Sequence, residues 1–271
     1  MKKVDGVILD WAGTTVDFGC FAPVHVFLQI FKAAGVDVTL EEARSPMGML
    51  KKDHIRAMLE MPRIKKLWEE TKGRSYCEAD IDALYASFEP ALLASLREYT
   101  EPLPGVIETI QLLREKGLKI GSTTGYTDSM LKIVATGALE KGYAPDFWIT
   151  PDATQSYGRP YPYMIFRNME ALKLAAPWTV IKVGDTAADI QEGLRAGVWS
   201  VGVAVGSSQM GLSCAEFASL PQKDKARVIL DTEKAFLEYG ADFIITSIQE
   251  LPGLVERINT LLEQGRRPNA R

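Results

Sequence analysis

The 271-residue chain is poor in the residues that build disulfide frameworks and histidine-rich metal sites. Its three cysteines, Cys20, Cys77 and Cys214, stand at no metal-like or redox spacing. A sparse, odd count argues against a disulfide scaffold and predicts a reduced, cytoplasmic setting. The two histidines, His25 and His54, are too few and too far apart for a His-rich centre. No apolar stretch reaches about 18 residues, so no membrane span and no membrane partner are expected. The opening MKKVDGVILD starts like a signal peptide, but Asp5 and Asp10 interrupt its apolar part, and it reads as a first strand. Basic clusters are missing too. Net charge is −4 with no long block of one sign, which argues against a nucleic-acid partner. There is no internal repeat and no low-complexity segment.

What is present is an ordinary globular composition, 46% hydrophobic and 24% charged, in a length that suits a core with a smaller inserted domain. Apolar runs that end in small or polar residues recur at 4–10, 118–124, 146–150, 179–185, 198–205 and 242–246. Helical patterns separate most of them, as at 106–117, 185–196 and 249–263. That alternation predicts an α/β fold, a parallel sheet covered on both faces, with ligands at the carboxyl ends of its strands. One stretch breaks it. From about Phe21 to Thr100 there is no convincing strand, only helical patterns such as the apolar stripe Val26, Phe27, Ile30, Phe31 and Ala34. We expect a core of residues 1–19 and 101–271 and an inserted helical cap of residues 20–100, with hinges at Gly19–Cys20 and near Pro102 and Pro104.

Four segments could carry chemistry. In "VILDWAGTT" (7–15) an apolar run delivers one carboxylate, Asp10, to a strand tip. The amides of the following turn could form an anion-binding nest. In "VIKVGDTAADI" (180–190) a second strand ends in Asp185, with Asp189 four residues on. Two such carboxylates can share Mg²⁺, although either could simply cap the helix that follows. In "IGSTTGYT" (120–127) a strand ends in hydroxyls and a glycine, so Thr124 and the Gly125 amide can donate to phosphate oxygens. In "GRPYP" (158–162) Arg159 could neutralise phosphate charge.

In this order and spacing the four segments resemble the haloacid dehalogenase superfamily. The resemblance implies a Rossmann-like core, Asp10 as a nucleophile that becomes an aspartyl phosphate, Mg²⁺ as cofactor, and Thr124, Arg159, Asp185 and Asp189 as the further motif residues. The superfamily's first motif is usually Asp-x-Asp-x-Thr, in which the second acid protonates the leaving group. Here "DWAGT" puts Ala12 in that slot. A leaving group that needs no proton donor is a carbon whose electrons drain into an adjacent iminium, and that requires a lysine to condense with a carbonyl beta to phosphorus.

The expected cap offers such a lysine in "PMGMLKKDHIR" (46–56), where Met47–Gly48 should open a helix and Lys51 and His54, three apart, share a face. A protonated neighbour or partial burial would lower the amine's pKa. Read alone, Lys51 and Lys52 are ordinary solvated lysines; the alanine at position 12 makes Lys51 the candidate. The combination is similar to the superfamily's phosphonatase branch. That implies hydrolysis of the C–P bond of phosphonoacetaldehyde to acetaldehyde and phosphate, in 2-aminoethylphosphonate degradation. It implies Asp10, the Ala12 carbonyl and Asp185 as metal ligands, Lys51 as the Schiff-base lysine, and Asp189 behind them. Cys20, Met47, Gly48, His54 and Tyr126 would line the aldehyde side, and Thr124, Gly125 and Arg159 would hold the phosphoryl group. It also implies a homodimer, for which the apolar helix at 24–34 is the candidate surface, although packing within the cap explains that stripe equally well. The alternatives are a phosphatase or phosphomutase of the same superfamily acting on phosphate esters, and a receiver-like signalling module, whose usual length is about half of this chain.

Overall fold

The computed structural model describes residues 3–268. Its strands are β1 (Gly6–Leu9), β2 (Lys119–Ser122), β3 (Phe147–Trp148), β4 (Val180–Gly184), β5 (Trp199–Val203) and β6 (Phe243–Ile245). They form one sheet in the order β3-β2-β1-β4-β5-β6, with every pairing parallel. The six apolar runs in the sequence all become strands. Those at the two ends of the sheet, β3 and β6, are the shortest, as edge strands often are.

Between β1 and β2 the chain is helical: α1 (Phe21–Ala33), α2 (Leu40–Arg44), α3 (Lys51–Glu60), α4 (Pro62–Lys72) and α5 (Glu78–Ser95). Then come α6 (Val106–Glu115), α7 (Asp128–Glu140), α8 (Tyr163–Leu172), α9 (Ala187–Ala196), α10 (Cys214–Ser219), α11 (Gln222–Tyr239) and α12 (Leu251–Glu263). Among the described residues no helix is long and apolar enough to cross a membrane.

Successive strand residues point to opposite faces, and the sequence supplies an apolar side chain to each. Val7 and Leu9 of β1 join Ile181 and Val183 of β4 in a core shared with Val106 and Ile110 of α6 and Val255 and Ile258 of α12. Ile8 and Val180 point the other way, onto Ile165 of α8 and Ala196 of α9. Lys182 also lies in β4, between residues of the first face, and is 1% exposed.

The registers fix where the motifs emerge. Leu9 pairs with Ser122 on one side and Val183 on the other. The residues after these three pairing points, Asp10, Thr123–Thr124 and Gly184–Asp185, therefore leave adjacent strands at one level. Asp10 N–H donates to Val183 O at 3.0 Å and Thr123 N–H to Leu9 O at 3.1 Å, which ties the three tips together.

The helices of 21–95 pack on one another, α1 and α3 against α5. Phe27 stacks on Phe88 with ring centres 4.4 Å apart. The stripe on α1 is used here: Val24, Val26, Phe27, Ile30 and Phe31 are all buried within the chain. The two crossings to this region run side by side. Asp17 N–H donates to Glu101 O, and Leu103 N–H to Thr15 O. Gly19 (φ +83°) and Cys20 (φ +53°) adopt left-handed backbone before α1. The Asp17 carboxylate accepts the Phe21 and Ala22 amides at 3.0 and 3.1 Å, closing the start of that helix. One local expectation fails. Met47–Gly48 does not open a helix, because Gly48 takes φ +87° and α3 begins only at Lys51.

Candidate active site

A small enclosed space of about 20 Å³ lies over the strand tips, room for a water rather than a substrate. Asp10, Ala12, Cys20, Met47, Gly48, Lys51, Thr124, Gly125, Tyr126, Arg159, Asp185 and Thr186 line it. The strand-tip motifs, the GRPYP segment and the 46–51 segment thus converge, although they are far apart in the chain. Of the residues singled out from sequence, His54 and Asp189 are not in this lining.

Asp10 is 5% exposed, and its Oδ1 accepts from Arg159 Nη2 at 2.6 Å. Asp185 is fully buried. Its Oδ2 accepts the Ser208 amide at 2.7 Å, and its Oδ1 lies 3.4 Å from Thr14 Oγ1. The turn after β1 presses directly on Asp185. A Cβ on Gly13, whose φ is +87°, would sit 2.1 Å from Asp185 Oδ2. That close approach accounts for glycine at position 13. Of the amides expected to form a nest, those of Gly13, Thr14 and Thr15 are taken up by the turn itself, and those of Trp11 and Ala12 are not among them. Gly13 N–H donates to Val16 O, and the Thr14 and Thr15 amides donate to Trp11 O.

Arg159 is clamped by carboxylates. Besides Asp10, its Nη1 lies 3.0 Å from Asp189 Oδ1 and its Nε 3.0 Å from Glu192 Oε2. The Lys182 ammonium is 2.7 Å from Asp189 Oδ1. Thr186 Oγ1 donates to Asp189 Oδ2 at 2.6 Å and accepts the Asp189 amide, so it also caps α9. Lys182, Glu192 and Thr186 were not identified from sequence. The available signals were a lysine inside an apolar strand and an acid one helical turn beyond Asp189.

This charge set fits a divalent cation. Asp10, Asp185 and Asp189 have carboxylate oxygens within 4.8 Å of one another. Asp189 is already matched by Arg159 and Lys182, whereas Asp185 has no cationic partner among the described residues. Burial, and next the charge of Asp10, pushes the Asp185 carboxyl well above the usual range. Oxygen-rich, like-charged and buried pairs are what Mg²⁺-type ions hold together. Asp10 and Asp185 are therefore the fitting protein donors, and Asp189 is the counter-ion of Arg159 and Lys182.

Lys51 is the first residue of α3, 3% exposed, with Nζ 5.1 Å from the centre of the Tyr126 ring. Burial foremost lowers its amine pKa; Arg159 adds to this, while nearby anions oppose it. Of the two causes considered for a lowered pKa, burial applies and a protonated His54 does not. His54 is fully buried, stacked 3.9 Å from Phe27, with Nε2 2.9 Å from Ala43 O. Burial holds its pKa well below the ordinary value, so the ring is neutral. Burial likewise pushes the Cys20 thiol and the Tyr126 phenol up, keeping both protonated. Tyr126 N–H donates to Thr124 Oγ1 at 3.1 Å, leaving the Thr124 hydroxyl proton for another acceptor.

Residues 4–197 match the family described as "Hydrolase: haloacid dehalogenase-like hydrolase". A phosphonoacetaldehyde hydrolase of Lysinibacillus sphaericus (strain C3-41) is 55% identical over 257 residues, covering 95% of this chain and 96% of that protein. A bifunctional phosphonoacetaldehyde hydrolase/aminoethylphosphonate transaminase of Clostridioides difficile (strain 630) is 51% identical, covering 95% of this chain and 40% of that longer protein. Among solved structures, a phosphonoacetaldehyde hydrolase-like protein from Oleispira antarctica superposes with a TM-score of 0.94 at 37% identity, covering 98% of this chain and 96% of that one. A β-phosphoglucomutase from Clostridium difficile, at TM-score 0.68 and 16% identity, shares the fold. With a family match that spans both the strand-tip acids and the intervening helices, and relatives aligned almost end to end, the chain belongs to the haloacid dehalogenase-like hydrolases.

Proposed function

We propose that this chain hydrolyses phosphonoacetaldehyde to acetaldehyde and phosphate, the step that would complete 2-aminoethylphosphonate degradation. The observation that carries the reading is a buried lysine, Lys51, facing the same enclosed space as Asp10 and Arg159, next to an alanine at position 12. The names of the near-complete relatives support the same substrate.

Residues 20–100 act as a cap and residues 1–19 with 101–271 as the core. Substrate does not fit the closed space, so the cap opens to admit it and closes to bring Lys51 to Asp10. The Lys51 amine adds to the aldehyde and loses water, giving a protonated imine. Asp10 then attacks phosphorus in line while Arg159, Thr124 and the Gly125 amide hold the phosphoryl oxygens. Bound between Asp10 and Asp185, with the Ala12 carbonyl as a further donor, Mg²⁺ would offset negative charge on the phosphoryl group. The C–P electron pair flows into the imine, leaving an enamine on Lys51 and an aspartyl phosphate on Asp10. One water releases phosphate. The enamine gains a proton at carbon, and a second water frees acetaldehyde and the lysine.

Magnitudes require the lysine. Enzymes remove roughly 8–23 kcal/mol of barrier. A single preorganised donor contributes about 3–4 kcal/mol, which cannot rescue an unstabilised carbanion. Tyr126 and Cys20, held neutral, and Met47 would shape the aldehyde side. His54, behind Lys51 and bound to Ala43 O, acts by fixing α3 rather than by carrying protons. A homodimer would need a surface other than the apolar stripe of α1, which is buried within the chain; sedimentation equilibrium decides it. Purified protein with Mg²⁺ should release phosphate and acetaldehyde in equal amounts from phosphonoacetaldehyde. Faster release from simple phosphate esters would favour the phosphatase alternative.

A further inference from the structure

We propose that Glu192 is a positioning residue for Arg159, holding the guanidinium so that it meets the nucleophile through one arm only. The inference rests on reading Asp10 as nucleophile and Arg159 as phosphoryl clamp. A guanidinium beside a carboxylate prefers two parallel N–H···O bonds, the strongest arrangement open to the pair. Such a pairing between Arg159 and Asp10 would engage both oxygens of the group that must attack phosphorus.

The structure avoids this. Arg159 Nη2 meets Asp10 Oδ1 at 2.6 Å; on the edge it shares with Nε the other arm is hydrogen-bonded elsewhere, whereas Nη1 makes no hydrogen bond and is held only by ion pairing. Nε donates to Glu192 Oε2 at 3.0 Å, and Nη1 lies 3.0 Å from Asp189 Oδ1. Nη2 itself also donates to Thr123 Oγ1 at 2.8 Å, and that hydroxyl donates on to Glu192 Oε2 at 3.0 Å. Glu192 thus fixes two of the three directions that set the guanidinium plane, one directly and one through Thr123. Its own place is set by α9, one turn beyond Asp189, and by Lys182 Nζ at 3.6 Å. Glu192 is fully buried and does not line the enclosed space, so it acts through Arg159 and not on substrate.

Glu192→Gln keeps the shape and removes the charge that draws Nε away. The guanidinium is then free to swing into a two-armed pair with Asp10. The expected result is a kcat for phosphate release lowered by about 10–100-fold, the scale of a misplaced reacting group. Borohydride trapping of substrate on Lys51 at saturating phosphonoacetaldehyde, a step that does not use the Asp10 nucleophile, should proceed at the wild-type rate. Thr123→Val leaves every charge in place and removes only the shared hydroxyl. It should show the same split with a smaller loss, about 3–10-fold, and decides the matter if Glu192→Gln shows no cooperative melting. A kcat within threefold of wild type in folded Glu192→Gln, or trapping and turnover falling by the same factor, overturns the proposal. If wild type releases phosphate without any trapping, the lysine reading fails instead, while the kcat comparison still decides the role of Glu192.

Discussion

Lys51→Met separates what the lysine does for chemistry from what it does to stability. The side chain is 3% exposed, and its ammonium has no ion-pair partner among the described residues, only the Tyr126 ring 5.1 Å away. A desolvated cation–π contact contributes about 2 kcal/mol or more. Burying a charge costs several kcal/mol after relaxation. Methionine has a similar length and keeps the stem's packing. Replacing buried charges by apolar groups of similar volume stabilises by about 1–4 kcal/mol; here the lost ring contact and the lowered amine pKa put the gain near the bottom, about 1–2 kcal/mol. For a chain of this size each kcal/mol raises the melting temperature by roughly 2–4 °C. Turnover should meanwhile fall by about 10⁴-fold or more, the scale of losing a covalent-catalysis residue. Calorimetry and a phosphate-release assay on the same preparation read both effects. A variant that is less stable than wild type, or that keeps more than a tenth of its turnover, would refute the reasoning.

Other consequences follow from the same geometry. Chelation should lower the melting temperature, and Mg²⁺ at about 100 times its dissociation constant should restore about 2.7 kcal/mol; Asp185→Asn should abolish that dependence in a thermal-shift titration. His54 is held neutral by burial, so as pH falls through 6.5 the unfolded chain takes up a proton that the folded chain does not. Its share of stability is therefore present above pH 6.5 and lost below it, and urea melts of His54→Gln should lose about 2 kcal/mol less than wild type between pH 7.5 and 5.0. A Cβ on Gly125 would lie 2.7 Å from Met49 O and 2.8 Å from Gly48 O. Gly125→Ala should thus keep the 46–50 segment from seating, raising KM and lowering kcat together while the melting temperature changes little.

The sheet and its acids were legible because a buried parallel strand is an unbroken apolar run, and a carboxylate at its end is conspicuous. Asp10 and Asp185 share a level because Leu9 pairs with Val183, and sequence order alone suggested as much. The convergence of Lys51 and Tyr126 on that level came from resemblance, since nothing local to "PMGMLKK" fixes which lysine turns inward. His54 shares the buried side of α3 with Lys51, as their spacing required, but Phe27 and Ala43 from other helices claim its ring. Of the amides after β1, those of Gly13, Thr14 and Thr15 were misread because Val16 O and Trp11 O accept them within the turn itself. The Lys182–Asp189–Glu192 set was missed because it depends on how α9 lies across β4. That register is set by Val180 and Ala196 packing over the sheet, and it leaves no mark in any single segment.

The most direct measurement of the central claim is borohydride reduction in the presence of phosphonoacetaldehyde, followed by peptide mapping. The account predicts one stoichiometric adduct on Lys51, with turnover lost in proportion to its formation. Full turnover without an adduct, or an adduct on Lys52 with Lys51 unmodified, would contradict it.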